Sequence, residues 1–137
     1  MDIELIKLLF DTGLFILIWI VQLVIYPSFH YYSEKQLKQW HSVYKVQISI
    51  VVLPLMVAQL GLYIYSVYIA ASIPSVLMLA LVGMIWLSTF LVSVPLHNKI
   101  ENVVNTITYR KRLVTTNWIR TVLWTNILII SYINYAK

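Results

Sequence analysis

The stretch PSVLMLALVGMIWLSTFLVSVPL, Pro74 to Leu96, carries no charged side chain from end to end. At about 1.5 Å of rise per helical residue it is long enough to cross a hydrocarbon core of about 30 Å. Lipid offers backbone groups no hydrogen-bond partner, so a segment of this kind has to satisfy its own N–H and C=O groups. A continuously apolar run does so as a helix, whereas a barrel strand would alternate. Three further stretches read the same way: Leu8 to Ser28, Gln47 to Ala70 and Trp118 to Ala136. The expected fold is therefore all-α, a transmembrane four-helix bundle running up-down-up-down. With 137 residues the chain has no room for a second folding unit, and residues 1–137 are read as a single integral membrane domain.

Composition supports the bilayer as solvent. Hydrophobic residues make up 61% of the chain and charged residues 11%, against about 25% charged in a soluble domain. The absence of cysteine excludes disulfides, thiolate catalysis and thiolate metal ligation. A net charge of +5 could suggest nucleic acid, but the basic residues lie scattered beside apolar spans rather than on a polar module, so no nucleic-acid partner is expected. Lys35, Lys38 and Lys45 follow the first span, and Lys99, Arg110, Lys111 and Arg112 follow the third. Only Lys7 and Lys137 fall on the other side. By the positive-inside rule both basic loops are cytoplasmic and both termini outside, in an inner or plasma membrane. The first span is too long for a signal peptide and has no small-residue cleavage site, so it is expected to remain.

Most polar residues that could do chemistry gather where the spans meet the basic-loop side. Ser33 with Gln36 forms a capping box and starts the second helix at Ser33. At about 100° per residue, Glu34, Leu37, Trp40, His41, Tyr44 and Ile48 share one face, while Lys35, Lys38 and Ser42 fall away. In span three Gly83, Trp86, Phe90, Ser93 and His97 share a face, and in span four Asn117, Arg120, Trp124 and Ser131 do. Pro54 is expected to bend the second helix, with Pro27 and Pro95 near the inner ends of spans one and three. An arginine inside the membrane edge either snorkels to lipid phosphate or finds a partner, and Arg120 is open to both readings. Its stripe, shared with Asn117 and Trp124, points it inward.

His41 and His97 form the candidate pair. Imidazole titrates near neutral pH and also binds haem iron or transition metals, so the two could act as acid and base, as ligands, or as structural hydrogen bonders. No HExxH and no Glu-x-x-His pair accompanies them. His30, beside Tyr31 and Tyr32, reads as an interfacial residue. Asp11, Phe15, Ile18 and Gln22 lie along one side of span one. Gln22 is expected to reach Gln59 as helix glue, and Asp11, a turn or two inside the boundary, to be interfacial, with a proton relay as the other reading. Trp40, Trp86 and Trp124 could wall a flat ligand.

The order Pro27, Trp40 with Tyr44, Pro54, Pro95-Leu-His-Asn98, then Asn117-Trp-Ile-Arg120 resembles the anthrone oxygenase-like family of small four-helix membrane proteins. In that family a Pro-x-x-Asn ends the third span and an Asn-x-x-Arg opens the fourth. The resemblance implies a four-helix bundle and, for the few members with an assigned role, oxidation of a polycyclic phenol by molecular oxygen. It carries over Pro95, Asn98, Asn117 and Arg120. Leu113 stands where a tryptophan is common, and His97 lies inside the proline motif.

Two functions of different kinds follow. One is a small-molecule or redox site at the inner rim for a lipid-soluble aromatic, with Asn98, Asn117, Arg120, Trp40 and Trp124 binding and His41, His97 and Tyr44 handling protons. Haem or a metal on His41 and His97 is a variant of it. The other is a non-catalytic accessory subunit whose polar rim caps helices and binds lipid headgroups. Transport has less to support it, because no broken-helix repeat is visible.

Overall fold

The computed structural model describes residues 2–136, so Lys137, one of the two basic residues placed on the terminal side, lies outside the described residues. Four long helices account for nearly the whole chain: α1 (Ile3–Tyr31), α2 (Glu34–Ile69), α3 (Ile73–Asn102) and α4 (Ile107–Tyr135). Each is long and apolar enough to cross a membrane, and the protein is an integral membrane four-helix bundle. The expected spans mark the apolar middles of these helices. The helices themselves run on past Tyr44 and Leu96 into polar sequence at the basic-loop end.

Sequence chemistry sets the helix ends. Ser33 and Gln36 cap α2 reciprocally, and Ser72 with Ser75 does the same for α3, where Pro74 occupies a first-turn position that needs no N–H donor. The chain turns from α1 into α2 around Arg110 of α4. This buried guanidinium donates to the carbonyls of Phe29 and Tyr32, both at 2.9 Å, and to Thr106 Oγ1 at 2.6 Å. It also pairs with Glu34 at 3.1 Å. Helix-terminal carbonyls without partners would be costly, and one arginine satisfies two of them.

Around the bundle α1 packs on α4 and α2, and α3 packs on α2 and α4, so sequence neighbours are spatial neighbours and α4 closes the ring. Leu14, Ile18, Met56, Val82, Ile85 and Ile127 fill the centre, while Leu9, Ile16, Leu23, Ile50 and Leu91 face outward, where lipid is their solvent. Several hydroxyls within the spans bond back to their own helix, as Thr12 does to the Leu8 carbonyl at 2.7 Å and Thr125 to that of Thr121 at 2.7 Å. Their polarity is thereby satisfied without water.

Two π turns interrupt the α-helical ladder, Val21–Ile25 in α1 and Thr89–Ser93 in α3. Each directly precedes an X-Pro pair. The N–H of Tyr26 reaches the carbonyl of Val21, and that of Val94 reaches the carbonyl of Thr89. Pro27 and Pro95 have no N–H to give, and their rings crowd the carbonyl four residues back, so widening the preceding turn relieves the conflict without breaking the helix. The extra residue also moves the inward face. In α3 the buried line runs Met78, Val82, Ile85, Thr89, Ser93, whereas a uniform 100° wheel groups Trp86 and Phe90 with Ser93. The structure stacks Trp86 on Phe90; Phe90 is exposed and Trp86 is half-buried at the edge of the core. Pro54 lies inside α2, which continues through it as one α-helix.

Candidate functional site

The register set by the two π turns brings Tyr26 of α1 and His97 of α3 together across the centre of the bundle. The Tyr26 hydroxyl lies 2.9 Å from His97 Nε2. His97 Nδ1 is 2.7 Å from His41 Nε2 of α2, and His41 Nδ1 is 3.1 Å from Glu101 Oε1. Lys45 closes the series at the basic-loop end with an ion pair to Glu101 Oε2 at 2.7 Å. On the other side Arg120 of α4 donates to the Tyr26 hydroxyl at 3.1 Å, to Thr89 Oγ1 at 3.4 Å and to Asn117 Oδ1. Asn117 in turn donates to Gln22 Oε1 at 2.8 Å.

Donor chemistry orients this chain. An ionised carboxylate only accepts, so His41 presents its Nδ1–H to Glu101, and its Nε2 is then the acceptor of a neutral ring. His97 must therefore donate from Nδ1 to His41 and accept at Nε2 from Tyr26. Arg120, which can only donate, completes the order by donating to the Tyr26 oxygen. Every hydrogen points from Arg120 toward Glu101. A proton lost by Tyr26 can thus pass through both imidazoles to Glu101 with one hydrogen shifting at each bond, and the phenolate left behind sits against a guanidinium.

The two histidines do not fit a metal or haem iron. The lone pair of His41, on Nε2, accepts from His97 Nδ1–H, the lone pair of His97, on Nε2, accepts from the Tyr26 hydroxyl, and the other nitrogen of each ring carries a hydrogen. No group of three His, Cys, Asp or Glu able to hold a metal ion occurs among the described residues.

A crevice of about 160 Å³ opens between α2 and α3 against this chain. Tyr26, Tyr44, His97, Arg120 and Trp124 form its inner wall, and Leu53, Phe90 and Val94 its lipid-facing rim. Arg120 is 7% exposed, has no carboxylate partner among the described residues, and its Nε is buried without an acceptor. Tyr44 lines the crevice and packs edge-on against Phe29. It makes no side-chain hydrogen bond among the described residues.

The remaining sequence candidates are placed differently. Trp40 is 41% exposed and leans on Tyr44 from outside. Asn98 is exposed, 3.5 Å from Lys45 Nζ, so neither residue reaches the crevice. Trp124 is buried and donates to Gln59 Oε1 at 3.3 Å. The expected Gln22–Gln59 pair does not form: Gln22 bonds Asn117 and the Val114 carbonyl, while Gln59 bonds Asp11 and Trp124. Asp11, expected at the interface, is wholly buried. Tyr26 and Glu101 are participants that sequence reasoning passed over. Tyr26 continues the Asp11–Ile18–Gln22 stripe by one more turn, and Glu101 stands one turn beyond His97, so both had a periodic signal.

Comparison with family models, with curated proteins and with solved structures finds no match.

Proposed function

We propose that this small integral membrane protein holds the hydroxyl-bearing ring of a lipid-soluble aromatic molecule in the α2–α3 crevice and draws off its proton toward the basic-loop face. The observation that carries this reading is Arg120, a buried cation that lines the crevice, with an Nε–H that has no acceptor and no acidic partner among the described residues. A buried charge without compensation is costly, and a phenolate oxygen would supply the missing anion. The crevice volume of about 160 Å³ is close to the roughly 150 Å³ that accommodates benzene in an apolar cavity. One ring enters, and the rest of the molecule lies among Leu53, Phe90 and Val94 in the lipid. Its hydroxyl proton replaces the one that Tyr26 passes to His97, His41 and Glu101.

A phenolate gives up electrons more readily than a phenol, so a site that removes the proton favours oxidation of the ring. Oxidation by molecular oxygen is the reaction that the resemblance to the anthrone oxygenase-like family implies, and both that membership and the oxidation belong to this proposal. For a polycyclic phenol, only the hydroxyl-bearing ring would sit inside the protein.

The test is titration of detergent-purified protein with a long-chain 4-alkylphenol, read by tryptophan emission, because Trp124 lines the crevice. Saturable quenching is expected, with loss of it in Val52→Phe, which adds bulk to the crevice wall and keeps every polar residue of the chain. Absence of saturable quenching, or unchanged quenching in Val52→Phe, would leave the polar chain as a structural brace. An oxygen electrode in the same titration reports whether oxidation follows.

The orientation proposed with this function places the basic loops in the cytoplasm, which gives the proton leaving Glu101 a cytoplasmic exit. Because the chain has no cysteine, Asp2→Cys and Ala136→Cys are each the sole thiol of their variant. Both are expected to react with an impermeant reagent added to intact cells. Reaction only after permeabilisation would reverse the orientation.

A further inference from the structure

At the terminal end the helices part around a separate polar vestibule of about 390 Å³, lined by Glu4 and Lys7 of α1, Tyr63 and Ser66 of α2, Met78 of α3 and Ser131 of α4. One helical turn deeper than Lys7 on α1 lies Asp11, 0% exposed. Its Oδ1 accepts from Gln59 Nε2 at 2.7 Å and its Oδ2 from the Tyr63 hydroxyl at 2.6 Å. The Trp124 indole N–H holds the Gln59 carbonyl at 3.3 Å, which fixes that amide with its NH₂ toward the carboxylate. The ionised form of Asp11 therefore has a donor on each oxygen. Lys7, the nearest ammonium, is taken up by Glu4 at 2.5 Å and sits over the Tyr63 ring, 5.5 Å from its centre.

Ser131 adds the second half of the arrangement. Its Oγ is buried and makes no hydrogen bond of good geometry among the described residues, and it stands within reach of both Asp11 and Tyr63, close enough to exchange a hydrogen bond with either. A protonated carboxyl group needs an acceptor for its new O–H, and a hydroxyl with free lone pairs is one. The same few side chains can thus satisfy either state of the carboxyl group. A metal cation would need oxygen ligands, but Gln59 turns its carbonyl away and Tyr63 presents its hydrogen.

We propose that Asp11 is a proton-binding site that exchanges with water on the terminal face through this vestibule, distinct from the histidine chain at the opposite end. A hydronium ion gives up one O–H bond and leaves as water, its proton forms an O–H bond on the Asp11 carboxylate, and that O–H donates a hydrogen bond to Ser131 Oγ, with no change of electron count. The titratable groups facing it are Lys7 and Glu4 from α1 and Tyr63 from α2. Met78 of α3 and Ser131 and Trp124 of α4 bring no charge. An ionisable residue buried within a span points to function, and here a route and a waiting acceptor accompany it.

The test is infrared difference spectroscopy of the reconstituted protein cycled between alkaline and acidic buffer. Acidification is expected to raise a carboxylic C=O band that is lost in Asp11→Asn and shifted in Ser131→Ala, where the acceptor is gone. A bulky reagent on Ala70→Cys at the vestibule rim is expected to slow the band several-fold. A band untouched by Asp11→Asn would overturn the proposal. If that variant does not fold, a band unmoved by Ser131→Ala would do so instead. A band whose rate ignores the plug would overturn the route. Loss of alkylphenol binding has no bearing on this band, so the two sites stand or fall separately.

Discussion

Replacing Arg120 by leucine is expected to weaken alkylphenol binding by about 10- to 100-fold while the protein still inserts and folds. The size follows from a hydrogen bond to a charged group, about 1.5–3 kcal/mol, at about 1.4 kcal/mol per factor of ten. Folding survives because the substitution removes a charge that has no acidic partner among the described residues, and leucine is easier to place in a membrane than arginine. Tyr26, Asn117 and Thr89 lose a donor, which costs some thermal stability. Asn117 keeps Gln22 and Tyr26 keeps His97. Lysine at the same position retains the charge but not the planar fork that reaches Tyr26, Thr89 and Asn117 together, so binding by Arg120→Lys should fall between wild type and Arg120→Leu. A snorkelling arginine would behave otherwise, since lysine reaches the interface as well. Full binding by Arg120→Lys would favour that reading.

His97→Gln is expected to separate binding from turnover. Glutamine can donate to His41 and accept from Tyr26, so the helices stay in place, but it cannot take a proton at one end and release another. If the protein oxidises its ligand, kcat should fall by about 10²- to 10⁴-fold, the usual contribution of a positioned acid–base group, with KM changed by only a few-fold. His97→Ala should lower kcat as far and also lose thermal stability, because the hydrogen of the Tyr26 hydroxyl and the lone pair of His41 Nε2 would both be left unpaired in the bundle. Equal turnover in wild type and His97→Gln would remove the histidines from the proton path.

How much of this was legible in the sequence depends on the scale of the feature. The helices follow from continuous apolarity, and the start of α2 from a local capping box, because both signals lie within one segment. Register across helices is less local. The wheel that grouped Trp86 and Phe90 with His97 assumes a constant 100° per residue, and the π turn ahead of Pro95 breaks that assumption. Depth is a second source of error. Counted outward from the turn at Tyr32 and Ser33, Gln59 lies far beyond the level of Gln22 and near that of Asp11, so antiparallel counting would have paired Asp11 with Gln59. Arg110 was read as a loop charge and Glu101 was passed over. Their roles depend on which helix faces them, and a linear pattern does not carry that information. Arg120, Asn117 and the two histidines were readable as inward, polar and at one end. The tyrosine that joins them required the structure.

The central claim is that the Arg120 crevice takes a phenolic ligand as its anion. Ultraviolet difference spectroscopy of the bound 4-alkylphenol tests it most directly, since a phenolate absorbs at longer wavelength than its phenol. At neutral pH, where the free ligand is protonated, the protein should produce the phenolate band in saturable proportion to bound ligand, and Arg120→Leu should abolish it. A ligand that binds with the spectrum of the neutral phenol, or a phenolate band that survives Arg120→Leu, would contradict the account.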